Sequence, residues 1–212
     1  MNKKKIVLII LLIILLGILV VLTVNVLRKH IIIKELQAKL EFYTSSNNYH
    51  IETIREENDL ITTYNYNKKD NKIAYFIEKN EGGIRNKVSI YDNGEYANYY
   101  MEYNGSKTLE HANSLPNGGI VNHLKYENDK TFQYLITILE TNIKSTEING
   151  KSCYLIKDYI KDAELYIEKD TGLCIQYIES GLKVQYKYEF NNVDDLIFIE
   201  PDIRQYKIKE KE

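Results

Sequence analysis

Leu182-Lys183-Val184-Gln185-Tyr186-Lys187-Tyr188-Glu189-Phe190 alternates apolar and polar residues without a break. Successive side chains of an extended chain point to opposite faces. Leu182, Val184, Tyr186, Tyr188 and Phe190 therefore share one face, and Lys183, Gln185, Lys187 and Glu189 the other. This is the pattern of an antiparallel sheet with one covered face and one wet face. Ile73, Tyr75 and Ile77 repeat it, as do Leu60, Thr62, Tyr64 and Tyr66. The sheet needs a cover on its apolar side.

Working outward, segments near 49–56, 59–67, 72–79, 84–91 and 95–103 are rich in Ile, Val, Thr and Tyr and read as strands. Turn residues separate them: Asn71, Glu81-Gly82-Gly83 and Asp92-Asn93-Gly94. Asn93-Gly94, Asn104-Gly105 and Asn149-Gly150 are two-residue hairpin signals, because both central residues of a type I′ turn need positive φ. Further strands are expected near 151–158, 163–169 and 173–179, the last two joined at Asp170-Thr171-Gly172. Residues 112–122, with Pro116, Gly118 and Gly119, read as a long loop. Residues 131–142 read as a helix that faces the sheet with Phe132, Leu135, Ile136 and Leu139, capped by Asn128 or Asp129.

The N-terminus differs in kind. Ile6–Leu27 is a 22-residue run without a charge, long enough as a helix to span roughly 33 Å against a hydrocarbon core of about 30 Å. The exit Val24-Asn25-Val26-Leu27-Arg28 offers no small-residue cleavage site, so the run reads as a retained signal anchor. Lys3, Lys4 and Lys5 favour a cytoplasmic N-terminus, while Arg28, Lys29, Lys34 and Lys39 compete. The orientation expected is N-terminus inside and domain extracytoplasmic, in the cell membrane; a cytoplasmic domain is the alternative. Ile33, Leu36, Leu40 and Tyr43 then continue as an amphipathic helix over 31–43, ended by Thr44-Ser45-Ser46-Asn47-Asn48. The divisions expected are a cytoplasmic 1–5, a transmembrane 6–27, a stalk helix 28–47, a β domain 48–206 and a charged tail 207–212.

Charge excludes one partner class. Five of the 28 basic residues lie before residue 30 and none of the 30 acids does. The remainder carries a net charge of −7, which does not steer it onto nucleic acid. All 19 Tyr also lie beyond residue 30, and Trp is absent.

No motif specifies a reaction, a metal or a cofactor. His30, His50, His111 and His123 are scattered; His111 and His123 flank the 112–122 loop and read as solvated loop histidines, the alternative being that the loop brings the two together. Asp194-Asp195 with Glu200 and Asp202 lacks the alternation of a calcium loop and reads as a solvated turn. No Gly-x-Ser-x-Gly elbow or phosphate-binding loop occurs. The expectation is a protein that is not an enzyme. Cys153 and Cys174 have the chemistry for a disulfide outside the cell. If strands 151–158, 163–169 and 173–179 form a simple meander, the middle strand instead holds them about two strand spacings or 9–10 Å apart, too far to bridge without rearrangement.

Three local stretches resemble the LolA-like and LppX-like lipoprotein-carrier half-barrels: Tyr91-Asp92-Asn93-Gly94-Glu95-Tyr96, Tyr166-Ile167-Glu168-Lys169-Asp170-Thr171-Gly172-Leu173, and Phe190-Asn191-Asn192-Val193 with Phe198 and Pro201-Asp202. The resemblance spans about residues 31–206. It departs from the family at Cys174, where a proline often stands, and in its protein anchor, which argues against shuttling cargo between membranes. It implies an α+β fold: a transmembrane helix, then a curved antiparallel half-barrel with helical plugs. By analogy it implies an extracytoplasmic binding module that holds an apolar ligand or lipid tail, with Tyr64, Tyr75, Leu135, Leu139, Val184, Tyr186 and Tyr188 lining the cavity. The alternative is an interaction or sensor module of the envelope, with a filled core and a protein partner in place of a small ligand.

Overall fold

The computed structural model describes residues 3–81, 83–114, 120, 123, 131–158 and 162–209. It is α+β: a long apolar N-terminal helix, then a curved open sheet that is antiparallel except at one edge. Helix α1 runs unbroken from Lys3 to Thr44, about 63 Å at 1.5 Å per residue. The strands are β1 (Asn48–Glu57), β2 (Leu60–Lys69), β3 (Lys72–Glu81), β4 (Ile84–Asp92), β5 (Tyr96–Tyr103) and β6 (Ser106–Asn113), followed by helix α2 (Thr131–Glu140). Then come β7 (Thr141–Ile148), β8 (Lys151–Asp158), β9 (Ala163–Glu168), β10 (Cys174–Glu179), β11 (Leu182–Phe190) and the short β12 (Lys207–Ile208).

The strand order is β12-β6-β5-β4-β3-β2-β1-β11-β10-β9-β8-β7. Two meanders therefore meet at the β1–β11 pair, where Tyr49 stands opposite Phe190, Ile51 opposite Tyr188 and Thr53 opposite Tyr186. Local hairpins make every other long pairing, and this one long-range pairing joins the two halves.

α1 plays two parts along its length. Its residues from Ile6 to Leu27 are almost all exposed, and the run is apolar enough to cross a membrane. Beyond that run the same helix enters the core, with Ile33, Leu36 and Leu40 at 0%, 1% and 2% exposure. Leu36 packs with Ile156, Leu165, Ile167 and Cys174, so α1 covers the inner face of β8–β10. Lys39 reinforces the seat by donating from Nζ to the Lys169 carbonyl at 2.7 Å.

Several sequence expectations are corrected. Helix α2 stops at Glu140, and Thr141–Ile148 is a strand whose β-branched Thr141, Ile143, Thr146 and Ile148 end at a type I′ turn, with φ of 52° and 76° at Asn149 and Gly150. Its tertiary seat also differs: α2 packs on α1 and β7, with Ile138 fully buried and Ile136 and Leu139 exposed. The side chains of Phe132 and Leu135, and the caps proposed at Asn128 and Asp129, lie outside the described residues. Ser106–Asn113 is a strand reaching into the start of the supposed 112–122 loop, because Asn104-Gly105 makes a type I′ turn (φ 45° and 77°). By contrast Asn93-Gly94 closes its hairpin differently: only Gly94 has positive φ, and Asn93 Oδ1 accepts from the Glu95 and Tyr96 amides at 2.9 and 3.1 Å.

The outer face is also less wet than its alternation implies. The chain after β11 turns back as a strap over it. Asn98 and Tyr100 donate to Glu200 Oε2 at 2.8 and 2.6 Å, and Tyr206 meets Tyr100 edge-on at 4.9 Å. The strap ends as β12, paired parallel to β6 at Thr108 and Leu109, where a charged tail was expected. Beneath it Ala74, Tyr100 and Leu109 are buried.

Candidate functional site

The inner face of the sheet carries a continuous run of ring contacts. It starts at Tyr177 on β10, which stacks on His123 at 5.8 Å; His123 meets Tyr186 on β11 at 5.6 Å. Along β11 the alternating Tyr186, Tyr188 and Phe190 follow at 6.1 and 6.5 Å. Phe190 meets Tyr49 of β1 at 6.4 Å, Tyr49 stacks on Tyr66 of β2 at 5.9 Å, and Tyr66 meets Tyr75 of β3 at 5.9 Å. Tyr64 closes the run against Tyr75 at 6.3 Å. Such spacings lie in the range where offset and edge-on rings attract. The track crosses five adjacent strands from β10 to β3.

The register explains it. Tyr49, Phe190 and Lys68 are paired positions, and so are Ile51, Tyr188 and Tyr66; side chains at paired positions share a face. Tyr66 in turn pairs with Tyr75, and Tyr64 with Ile77. The terminal turns of α1 reach the middle of the track, where Tyr43 touches Phe190 at 4.7 Å.

Burial sets the electrostatics. It pushes the Tyr186 phenol up to about 12 and raises Tyr66, Tyr75 and Tyr188 above the ordinary tyrosine value. The track's phenols are therefore neutral at physiological pH, and several are engaged in hydrogen bonds: Tyr177 donates to Glu179 Oε2, and Tyr49 and Tyr66 bond each other. Tyr188 spends its hydroxyl on the Cys174 carbonyl at 3.0 Å. His123 is the polar exception. Burial lowers its pKa, and its Nε2 is buried with no hydrogen-bond partner among the described residues.

Of the residues expected to line a cavity, Tyr64 and Tyr75 lie at one end of this track and Tyr186 and Tyr188 toward the other. Val184 is buried on the same face, opposite Tyr177 and Arg55. Leu139 lies elsewhere, 48% exposed, beside Asn25, Arg28 and Lys29 of α1. The Leu135 side chain lies outside the described residues. The residues expected from the sequence did not include Tyr49, Tyr66, Tyr177, Phe190 or His123 of this track. Tyr49 and Tyr66 carried the signal, each being in a strand and in phase with a named residue, but the β1–β11 pairing that links the halves left no local trace. His123 carried none.

The remaining groups are engaged structurally. His111 pairs through Nδ1 with Asn98 Oδ1 at 2.6 Å on the outer face, so it does not meet His123. Asp194 and Asp202 accept from Leu196 and Arg204 amides at 3.0 and 3.1 Å, and Asp195 pairs with Lys69 at 2.9 Å. With Glu200 held by Asn98 and Tyr100, the acids are four separate fixtures of the strap. Among the described residues no three His, Cys, Asp or Glu side chains stand together as a metal site. Cys153 and Cys174 are both free and buried; they sit on β8 and β10 with β9 between, Cys153 opposite Glu168 and Cys174 opposite Ile167.

No protein-family model matches the sequence, and no curated protein matches it. Among solved structures, the chain is similar to an uncharacterized conserved protein from Thermus thermophilus, at 8% identity and a TM-score of 0.48, over 83% of this chain and 98% of that one. It is also similar to MucB in complex with MucA(peri), at 13% identity and a TM-score of 0.40, over 77% of this chain and 57% of that one.

Proposed function

We propose that the chain is a single-pass membrane protein whose extracytoplasmic domain is a binding module, taking an apolar ligand or lipid tail onto the aromatic track. One observation carries the reading: ring contacts continue unbroken from Tyr177 to Tyr64, with the buried His123 Nε2, unpartnered among the described residues, near one end. Ligand sites are mostly apolar walls with a few placed polar groups, and neutral phenols beside one imidazole meet that description. α1 supports the attachment, because its apolar stretch is left uncovered by the domain.

The test uses the full chain purified in detergent. Native mass spectrometry is expected to find co-purified lipid, and titration with cis-parinaric acid is expected to saturate. Tyr66→Ala and Tyr188→Ala should weaken that binding, whereas Tyr103→Ala, at an exposed site off the track, should not. Absence of both lipid and saturable binding would sink the reading. Protease added to spheroplasts should remove the region beyond His30; protection until lysis would reverse the orientation.

A second reading, a partner-binding module with a filled core, draws support from the closure of Ile33, Leu36 and Leu40 onto β8–β10. It is favoured if the purified chain is lipid-free and binds no parinaric acid.

A further inference from the structure

Helix α2 is seated against the last turn of the apolar stretch. Lys29, two residues past Leu27, donates from Nζ to the carbonyls of Ile138 and Leu139 at 3.1 and 3.2 Å. A cation on the final carbonyls of a helix satisfies groups that have no partner within the helix and opposes the negative end of its dipole. The bond also fixes height. A notch of about 210 Å³ between the helices is lined by Asn25, Arg28 and Ile32 on one side and by Leu139, Glu140 and Asn142 on the other. Asn25 to Ile32 is seven residues, about 10 Å along the helix, and the uncharged run ends at Leu27 within that interval.

The C-terminal end of α2 thus stands at the level where the apolar stretch meets its first basic residues. Here Ile136 and Leu139 are 37% and 48% exposed, although Ile138 between them is fully buried. Ile31 on α1 is exposed as well, at 62%. Exposed apolar side chains on a short helix seated beside a span, with Leu139 next to Arg28 and Lys29, have the makeup of an interfacial helix: apolar side chains in the acyl boundary, cations at the phosphates.

We infer that α2 is a second membrane contact, its Ile136 and Leu139 immersed at the boundary between headgroups and acyl chains, with Arg28 and Lys29 at phosphate level. The occupant of this exposed face is the lipid surface itself, because the face is continuous with the span that enters it. The inference rests on the reading of α1 as a membrane anchor. It adds that the domain is held at two points and is therefore fixed in tilt, with the sheet close to the bilayer.

The absence of Trp from the sequence makes the test clean, because each introduced Trp is the sole indole. The full chain carrying Leu139→Trp is reconstituted in vesicles of phosphatidylcholine and phosphatidylglycerol, with phosphatidylcholine brominated near the headgroup end of its acyl chains. Leu16→Trp, within the span, and Leu196→Trp, exposed on the strap, are the references. The expected result is that Leu139→Trp emission shifts to the blue and is quenched by the shallow bromines, as for a side chain at the headgroup and acyl boundary, while Leu196→Trp is unaffected. If Leu16→Trp is quenched by deeply brominated lipid and Leu139→Trp behaves like Leu196→Trp, the anchor stands and the second contact is overturned. That holds whether water or another protein covers the site. If Leu16→Trp escapes quenching, the anchor reading itself fails and takes this inference with it. Ile136→Trp repeats the measurement one turn away, so a misfolded Leu139 variant does not leave the question open.

Discussion

Gly172 lies directly beneath Leu36. A Cβ at Gly172 would overlap the Leu36 carbonyl oxygen and stand 3.0 Å from the Leu40 amide nitrogen, so the turn between β9 and β10 and the backbone of α1 are in contact with no side chain between them. The glycine also has φ of +73°. Thr171 locks the same turn, donating to Glu168 Oε2 at 2.8 Å and accepting from the Leu173 amide at 3.2 Å. One residue therefore sets how closely α1 approaches the sheet.

Gly172→Ala should destabilise the domain by about 2–4 kcal/mol, because it adds a steric conflict with fixed backbone to the positive-φ penalty. Gly105→Ala and Gly150→Ala share the positive φ but meet open space, and should cost only about 1–2 kcal/mol. Urea melts of the detergent-solubilised full chain measure both. Equal losses at all three positions would show that the approach of α1 is slack.

Burial along the helices predicts a sharp contrast between neighbours. Leu36→Ala and Ile138→Ala remove fully buried side chains and should each cost roughly 2–5 kcal/mol. Leu139→Ala, next to Ile138 but 48% exposed, should change stability by about 0.5 kcal/mol or less in detergent. A large loss at Leu139 with none at Ile138 would rotate α2 and restore the sheet-facing stripe read from the sequence.

His123 gives the protein an acid-sensitive point. Burial lowers its pKa below the ordinary 6.5, so the unfolded chain binds the proton more readily than the folded one. Its contribution is then fully present above pH ~6.5 and is lost as pH falls through the folded value. Chemical denaturation midpoints should fall on acidification from neutrality, and His123→Phe should flatten that slope while keeping a ring against Tyr177 and Tyr186. An unchanged slope in the variant would place His123 in water.

The cysteines should be silent until the fold opens. Burial pushes the Cys174 thiol up to about 12 and raises Cys153 as well, and the thiolate is the reactive form. Both are expected to resist alkylation in the native chain at neutral pH and to react on unfolding without reductant. Labelling that requires reductant would mean a bridge, and the β8–β9–β10 order would be wrong.

Much of this molecule was legible in order along the chain. The uncharged Ile6–Leu27 run, the Ile33-Leu36-Leu40 stripe and the alternation of Leu182–Phe190 are each set by local periodicity, which one stretch of sequence contains in full. The Asn-Gly steps at 104 and 149 likewise announced hairpins, and the strands leading into and out of them, β6 and β7, were there to be read from the same turns.

Tertiary structure decided the rest. Which surface α2 covers depended on Lys29, more than a hundred residues away, reaching its last carbonyls. The same stripe of apolar residues serves a sheet or a bilayer equally well. The strap over the outer face rests on Glu200 meeting Asn98 and Tyr100, a hundred or so residues earlier in the chain, a contact that no local pattern announces. The aromatic track exists because β1 pairs with β11 across more than a hundred residues. Period-2 patterning says which face a tyrosine takes but not which strand lies beside it, since strands of the same pattern can exchange neighbours without moving a side chain off its face.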